Sequence, residues 1–115
     1  MAYHHLLVYQ KSYELALEMH KLSLTYPRVE QYELASQIRR SSRSVPSNIV
    51  EGTARQSGDA EVRRFLRMSL GSCDETRLWL NMSKDLGYID GDKHAKWVER
   101  YCEVGKMLTA LIKRL

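Results

Sequence analysis

Arg39, Arg40, Arg43, Arg55, Arg63, Arg64 and Arg67 crowd a short central stretch of the chain. Only Glu51, Asp59 and Glu61 oppose them there, an excess equal to the formal +4 of the whole sequence. Arginine presents a planar fork of donors that binds phosphate bidentately. Neutralising backbone phosphates is the main source of affinity for nucleic acid. The pI of about 9.2 points the same way. These residue types therefore suggest an anion-binding surface. The same arginines could instead serve salt bridges within or between subunits, and the sequence leaves both readings open.

Other chemistries find less support. Di-iron bundles use Glu-x-x-His pairs, which set both ligands one turn apart, and no such pair occurs. Neither a CxxC pair nor a CxxCH run is present, and both phosphate-cradling glycine motifs fail. Ser41, Ser42, Ser44 and Ser47 have no histidine placed beside them by helix spacing, which makes them poor nucleophiles. Glu51 and Glu75 are read as structural, Glu51 with Arg55 at i,i+4 and Glu75 with a neighbouring arginine. His20 is read as a core or interface residue, and His4 and His5 as solvent-facing. Cys73 and Cys102 are read as free, buried small hydrophobes. No catalytic residue, metal or cofactor is expected.

The elements that position these residues follow from apolar periodicity. Helix one is predicted from about Leu7 to Thr25, with a stripe of Leu6, Tyr9, Tyr13, Ala16, Leu17, His20 and Leu24. Helix two, about Glu30 to Ala54, carries Leu34, Ala35, Ile38, Ser42, Val45, Ile49 and Gly52. Ser44, Asn48, Glu51 and Arg55 form a polar stripe on its flank. Pro46 lies inside this helix, where it removes one backbone hydrogen bond at a cost of about 3 kcal/mol and is expected to bend it. Helix three, about Ala60 to Leu86, carries Val62, Phe65, Leu66, Ser69, Leu70, Cys73, Thr76, Leu80 and Ser83, with Asp59 as its expected N-cap. Helix four, about Asp92 to Lys113, carries Ala95, Val98, Tyr101, Cys102, Gly105, Leu108, Thr109 and Ile112, capped by Asp90 or Asp92. No segment alternates as a strand does.

Four amphipathic helices with short joints predict an all-α, antiparallel up-down-up-down four-helix bundle. At 115 residues it is expected to be one domain, residues 1–115. No apolar window reaches membrane-spanning length and no signal-peptide pattern opens the sequence, so a cytoplasmic protein that engages no membrane is expected. Leu15, Leu22, Val50, Leu78, Trp79, Met82 and Trp97 fall off the main stripes. A second apolar strip suggests a partner surface, most simply another copy of the chain.

Two motifs carry a family resemblance. QIRRSSRSVPSNIVEGTAR resembles Q-[LI]-R-R-x-x-x-S-[VI]-x-x-N-[IV]-x-E-G-x-x-R, matched by Gln37, Arg39, Arg40, Ser44, Val45, Asn48, Ile49, Glu51, Gly52 and Arg55. The following FLRMSLGSCDETRLWL resembles F-x-x-x-A-x-G-S-x-x-E through Phe65, Gly71, Ser72 and Glu75. Together with YQKSYELALEMHKLSLTYP, these make nearly the whole chain similar to the four-helix-bundle 23S ribosomal RNA intervening-sequence proteins. The resemblance implies a left-handed antiparallel bundle that assembles as a ring, a homopentamer, with no enzymatic activity. A related branch, the accessory protein of diversity-generating retroelements, is a basic pentameric barrel that binds a reverse transcriptase and its RNA. Ser69 departs from the usual alanine, and Arg43 from a small or apolar residue.

The leading expectation is a non-enzymatic, ring-forming module that binds structured RNA or an RNA–protein complex through the seven arginines. Ser44, Asn48, Glu51, Gly52, Gly71, Ser72 and Glu75 are its expected structural network. The alternative is a protein-interaction scaffold, such as an accessory subunit of a reverse transcriptase, that does not touch nucleic acid.

Overall fold

Residues 6–54 and 58–115 are described by the computed structural model. They form four helices, α1 Leu7–Ser23, α2 Leu34–Ala54, α3 Asp59–Asp85 and α4 Gly91–Lys113, with a 3-10 turn at Arg28–Glu30. None of the described residues lies in a strand. Successive helices run antiparallel in an up-down-up-down bundle measuring 44 × 24 × 20 Å. The hairpin of α2 and α3 makes the most extensive packing, and α1 with α4 the least. Leu15, Met19, Ile38, Val45, Ile49, Leu66, Leu80, Tyr101, Val104 and Leu108 form the centre of the core.

The predicted stripes of helices two and three face inward. On α2, Leu34, Ala35, Ile38, Ser42, Val45, Ile49 and Gly52 are buried, as are Phe65, Leu66, Ser69, Cys73, Thr76, Leu80 and Ser83 on α3. Burial pushes the Cys73 thiol up to about 12, as its reading as a small hydrophobe requires. Cys102 is half-buried, and both cysteines are free.

The predicted stripe of helix one faces the wrong way. Its buried residues are Val8, Ser12, Leu15, Met19 and Ser23, whereas Tyr13, Leu17, His20 and Leu24 are exposed. The physical reason is that α1 is apolar on two sides. Ser12 and Ser23 mark the inner face as polar, yet each donates its hydroxyl to the preceding turn, Ser12 to Tyr9 O at 3.0 Å and Ser23 to His20 O at 2.6 Å. A satisfied hydroxyl can be buried where helices approach closely. On α4 the inner face is centred on Tyr101, Val104 and Leu108, and Ala95 is exposed, so that stripe was rotated by part of a turn.

Helix ends refine the predicted boundaries. Residues 28–30 form the 3-10 turn rather than the start of α2, and Glu30 Oε1 accepts the Leu34 N–H at 3.4 Å. Gly58, not Asp59, occupies the N-cap of α3, and Asp59 complements the helix dipole from the first turn. Asp90 caps α4, its Oδ1 accepting from Lys93 N at 2.8 Å. Gly87 ends α3 at a φ of +82°. Its N–H bonds Lys84 O and the Tyr88 N–H bonds Ser83 O, the Schellman arrangement that a glycine permits.

Two ion pairs among the described residues join α1 and α4, Lys11 with Glu103 at 2.6 Å and Glu18 with Arg100. Arg100 Nη1 and Nη2 donate to Glu18 Oε1 and Oε2 at 2.7 and 2.6 Å, and Trp97 Nε1 donates to Oε1 at 3.1 Å. The Arg100 hydrogen bonds hold the Glu18 carboxyl below the usual carboxylate range, against an opposing effect of burial. A carboxyl whose folded value is lowered stabilises the fold above its unfolded pKa, and that stability is lost as pH falls through the folded value. The melting temperature is therefore expected to fall more steeply for wild type than for Glu18→Gln between about pH 6 and about pH 3. Thermal unfolding followed by circular dichroism checks this, and parallel slopes would contradict it.

Candidate nucleic-acid interface

The run from Leu34 to Val50 contains no aspartate or glutamate. Helical spacing turns Ser36, Arg40, Arg43, Ser44 and Ser47 toward one flank of α2. With Arg39 they line an open concavity of about 450 Å³. Guanidinium and hydroxyl donors without a neighbouring acid form the chemistry that holds a phosphate oxygen.

The arginines divide by what already holds them. Arg39 is half-buried and faces the α1–α2 connection. Its Nη1 donates to Ser23 Oγ at 2.8 Å and to Gln31 Oε1 at 3.4 Å, and its Nη2 donates to Gln31 O at 2.7 Å. It fastens the connection to α2 and leaves the phosphate-contacting set. Arg64 donates through Nε to Glu61 Oε1 at 2.8 Å and through Nη2 to the same oxygen, while its guanidinium lies over the Phe65 ring at 4.6 Å. It too is engaged within its own helix. Arg40, Arg43, Arg63 and Arg67 have no ion pair with a carboxylate among the described residues. Arg43 Nη2 lies 3.2 Å from His20 Nδ1, at the edge of an apolar groove of about 300 Å³ lined by Tyr13, Leu17 and Pro46. Arg55 lies outside the described residues.

The remaining arginines do not share one patch. Arg63 and Arg67 fall within about 80° of arc of Leu70, Asp74 and Arg77 on α3. Those three line a second groove, of about 470 Å³, whose opposite wall on α4 includes Lys106 and Lys113. Arg40 and Arg43 thus mark the α2 flank, and Arg63 and Arg67 lie on the same face of α3 as the residues that line the α3–α4 groove. Sequence reasoning missed Ser36, which the acid-free run on α2 could have brought in. It also missed Lys106 and Lys113, whose spacing of seven residues on one helix face was the available signal.

Of the signature residues, Ser44, Asn48, Gly52, Phe65 and Ser72 lie along the α2–α3 seam. Asn48 Nδ2 donates to Ser44 O and Oγ at 2.8 and 2.9 Å, and Ser72 Oγ donates to Ser44 Oγ at 2.7 Å. Above and below, Thr76 Oγ1 bonds Ser41 Oγ at 2.8 Å, and Ser69 Oγ donates to Val45 O at 2.7 Å. The hydroxyl of Ser69 thus bonds across the seam to the α2 backbone. Gly52 faces Phe65 across the same seam. α2 continues unbroken through the buried Pro46.

Glu51, Gly71 and Glu75 are exposed. Among the described residues Glu75 does not make the expected pair with an arginine. Its neighbours at three and four residues are Gly71, Ser72, Leu78 and Trp79, and nearby Arg77 bonds Asp74 Oδ1 at 2.5 Å instead.

An antiparallel all-α bundle closed by a hydroxyl-bonded central hairpin defines a small helical-bundle protein. The chain belongs to the family described as 23S rRNA-intervening sequence protein, whose model matches residues 4–110. It is similar to a crystal structure from Bacteroides thetaiotaomicron described as a protein with unknown function from the S23 ribosomal protein family. That structure is 27% identical, with a TM-score of 0.82, covering 93% of this chain and 99% of the other. A comparison with curated proteins finds no match.

Proposed function

We propose that this chain is a non-enzymatic binding module of the cytoplasm that assembles as a homo-oligomeric ring, a pentamer, and engages structured RNA or an RNA–protein complex. The observation that carries this reading is the acid-free flank of α2, where Arg40 and Arg43 lie exposed among serines in an open concavity. Arg63 and Arg67 supply further phosphate contacts from the α3–α4 side. A family description that refers to 23S rRNA intervening sequences fits an RNA partner. No helix among the described residues is long and apolar enough to cross a membrane. Titrating the protein against structured RNAs, with duplex DNA as control, tests the reading. Preference for one RNA supports it, and weak binding without selectivity overturns it.

A second reading, the protein scaffold without nucleic acid, rests on a different observation. Tyr13 and Leu17 on α1 with Leu24 just after it, and Met68, Leu78 and Met82 on α3 with Leu86 just after it, are exposed apolar side chains. A ring repeats both the apolar faces and the basic flank, so the two readings separate only by whether RNA binds.

A further inference from the structure

The sparse packing between α1 and α4 leaves a cleft at the end of the bundle where the α3–α4 turn lies. Its volume is about 550 Å³, within the range of small-molecule sites. Leu22 and Ile89 supply apolar floor, Tyr88 and Trp97 supply aromatic walls, and Lys21 and Lys93 supply ammonium groups.

Both aromatic groups are held by their polar ends. Trp97 Nε1 donates to Glu18 Oε1 at 3.1 Å, and the Tyr88 hydroxyl donates to Glu30 Oε2 at 2.7 Å. The Tyr88 ring also packs against Tyr26, with centroids 5.1 Å apart. Of the two acids that line the cleft, Glu18 has an ionic partner and Asp90 serves as the α4 cap. Glu18 is paired with Arg100, and Asp90 accepts the Lys93 backbone N–H. Lys21 and Lys93 form no ion pair with a carboxylate among the described residues. Two ammonium groups thus stand against one carboxylate without an ionic partner, Asp90, which leaves the cleft an excess of positive charge beside fixed aromatic and apolar surfaces.

We infer that this cleft binds a nucleotide, with the base against Trp97 and Tyr88 and the phosphate on Lys21 and Lys93. Aromatic faces stack bases without regard to sequence, and ammonium groups bind phosphate as point charges. The nucleotide could be free or could be an unpaired nucleotide of an RNA, since unstacked bases of loops and ends are what aromatic side chains receive. The site does not depend on the α2 flank, and its residues lie on other elements.

The test uses the fluorescence of Trp97 in a Trp79→Phe background, so that one indole reports. Adenosine monophosphate, adenosine, inorganic phosphate and a single-stranded hexanucleotide are titrated in turn. Saturable quenching is expected with adenosine monophosphate or the hexanucleotide, and at least about tenfold weaker binding with adenosine or phosphate alone. Quenching by the mononucleotide assigns the free ligand, and quenching by the hexanucleotide alone assigns the unpaired residue of an RNA. Lys21→Glu with Lys93→Glu is expected to abolish either response. Calorimetry on the wild-type chain repeats the measurement without the Trp79 substitution. Absence of heat and of quenching, or a response unchanged in the double lysine variant, overturns the proposal. Arg40→Glu with Arg43→Glu is expected to leave mononucleotide binding intact, which separates this site from the α2 flank.

Discussion

Arg40→Glu with Arg43→Glu is expected to lower RNA affinity at least tenfold, by roughly two orders of magnitude at low salt, because two phosphate contacts become repulsions. Both side chains are exposed and form no ion pair with a described carboxylate, so the melting temperature should change little. Arg64→Glu provides the contrast. Its guanidinium is already held by Glu61 and lies over Phe65, so its reversal should perturb the start of α3 more than RNA binding. Filter binding or fluorescence anisotropy on folded variants checks both statements. Equal losses from the two changes would show that net charge, rather than the α2 flank, sets affinity.

Gly52→Ala is expected to destabilise the fold by about 1–3 kcal/mol, the usual cost of overpacking a close contact. An added Cβ would stand 2.8 Å from Phe65 Cβ and 3.5 Å from Val62 O. Neither neighbour is the free end of a flexible side chain, so α2 and α3 must move apart. The seam between them holds Ser44, Ser72, Ser69 and Thr76 at hydrogen-bond distance, and separation strains those bonds as well. Helix propensity acts the other way, favouring alanine over glycine by about 1 kcal/mol. The steric cost should prevail, lowering the melting temperature by several degrees. A stabilised Gly52→Ala protein would mean that the hairpin can open without loss.

The inner faces of the two central helices were legible in the sequence because on each the longest apolar stripe is the one that is buried. On α2, even the buried Ser42 lay on that face, and on α3 Ser69 and Thr76 did. α1 was not legible, since Tyr13 and Leu17 read as core and the inner face carries the polar Ser12 and Ser23. Periodicity identifies an apolar stripe, but it does not say which of two stripes meets the bundle. The arginine chemistry was visible as composition, and the engagement of Arg64 by Glu61 was visible as an i,i+3 pair. The engagement of Arg39 was not, because Ser23 and Gln31 reach it only when the α1–α2 connection folds back. The division of Arg40 and Arg43 from Arg63 and Arg67 likewise depends on how α3 packs against α4.

The central claim is that exposed arginines on this bundle contact RNA phosphates, and its most direct test is affinity for a structured RNA as a function of salt. The account predicts a linear fall of log affinity with log salt, steep enough to report several phosphate contacts, and a slope smaller by about two in Arg40→Glu with Arg43→Glu. A shallow slope, or one that the double variant leaves unchanged, would contradict it and assign the exposed surfaces to protein partners.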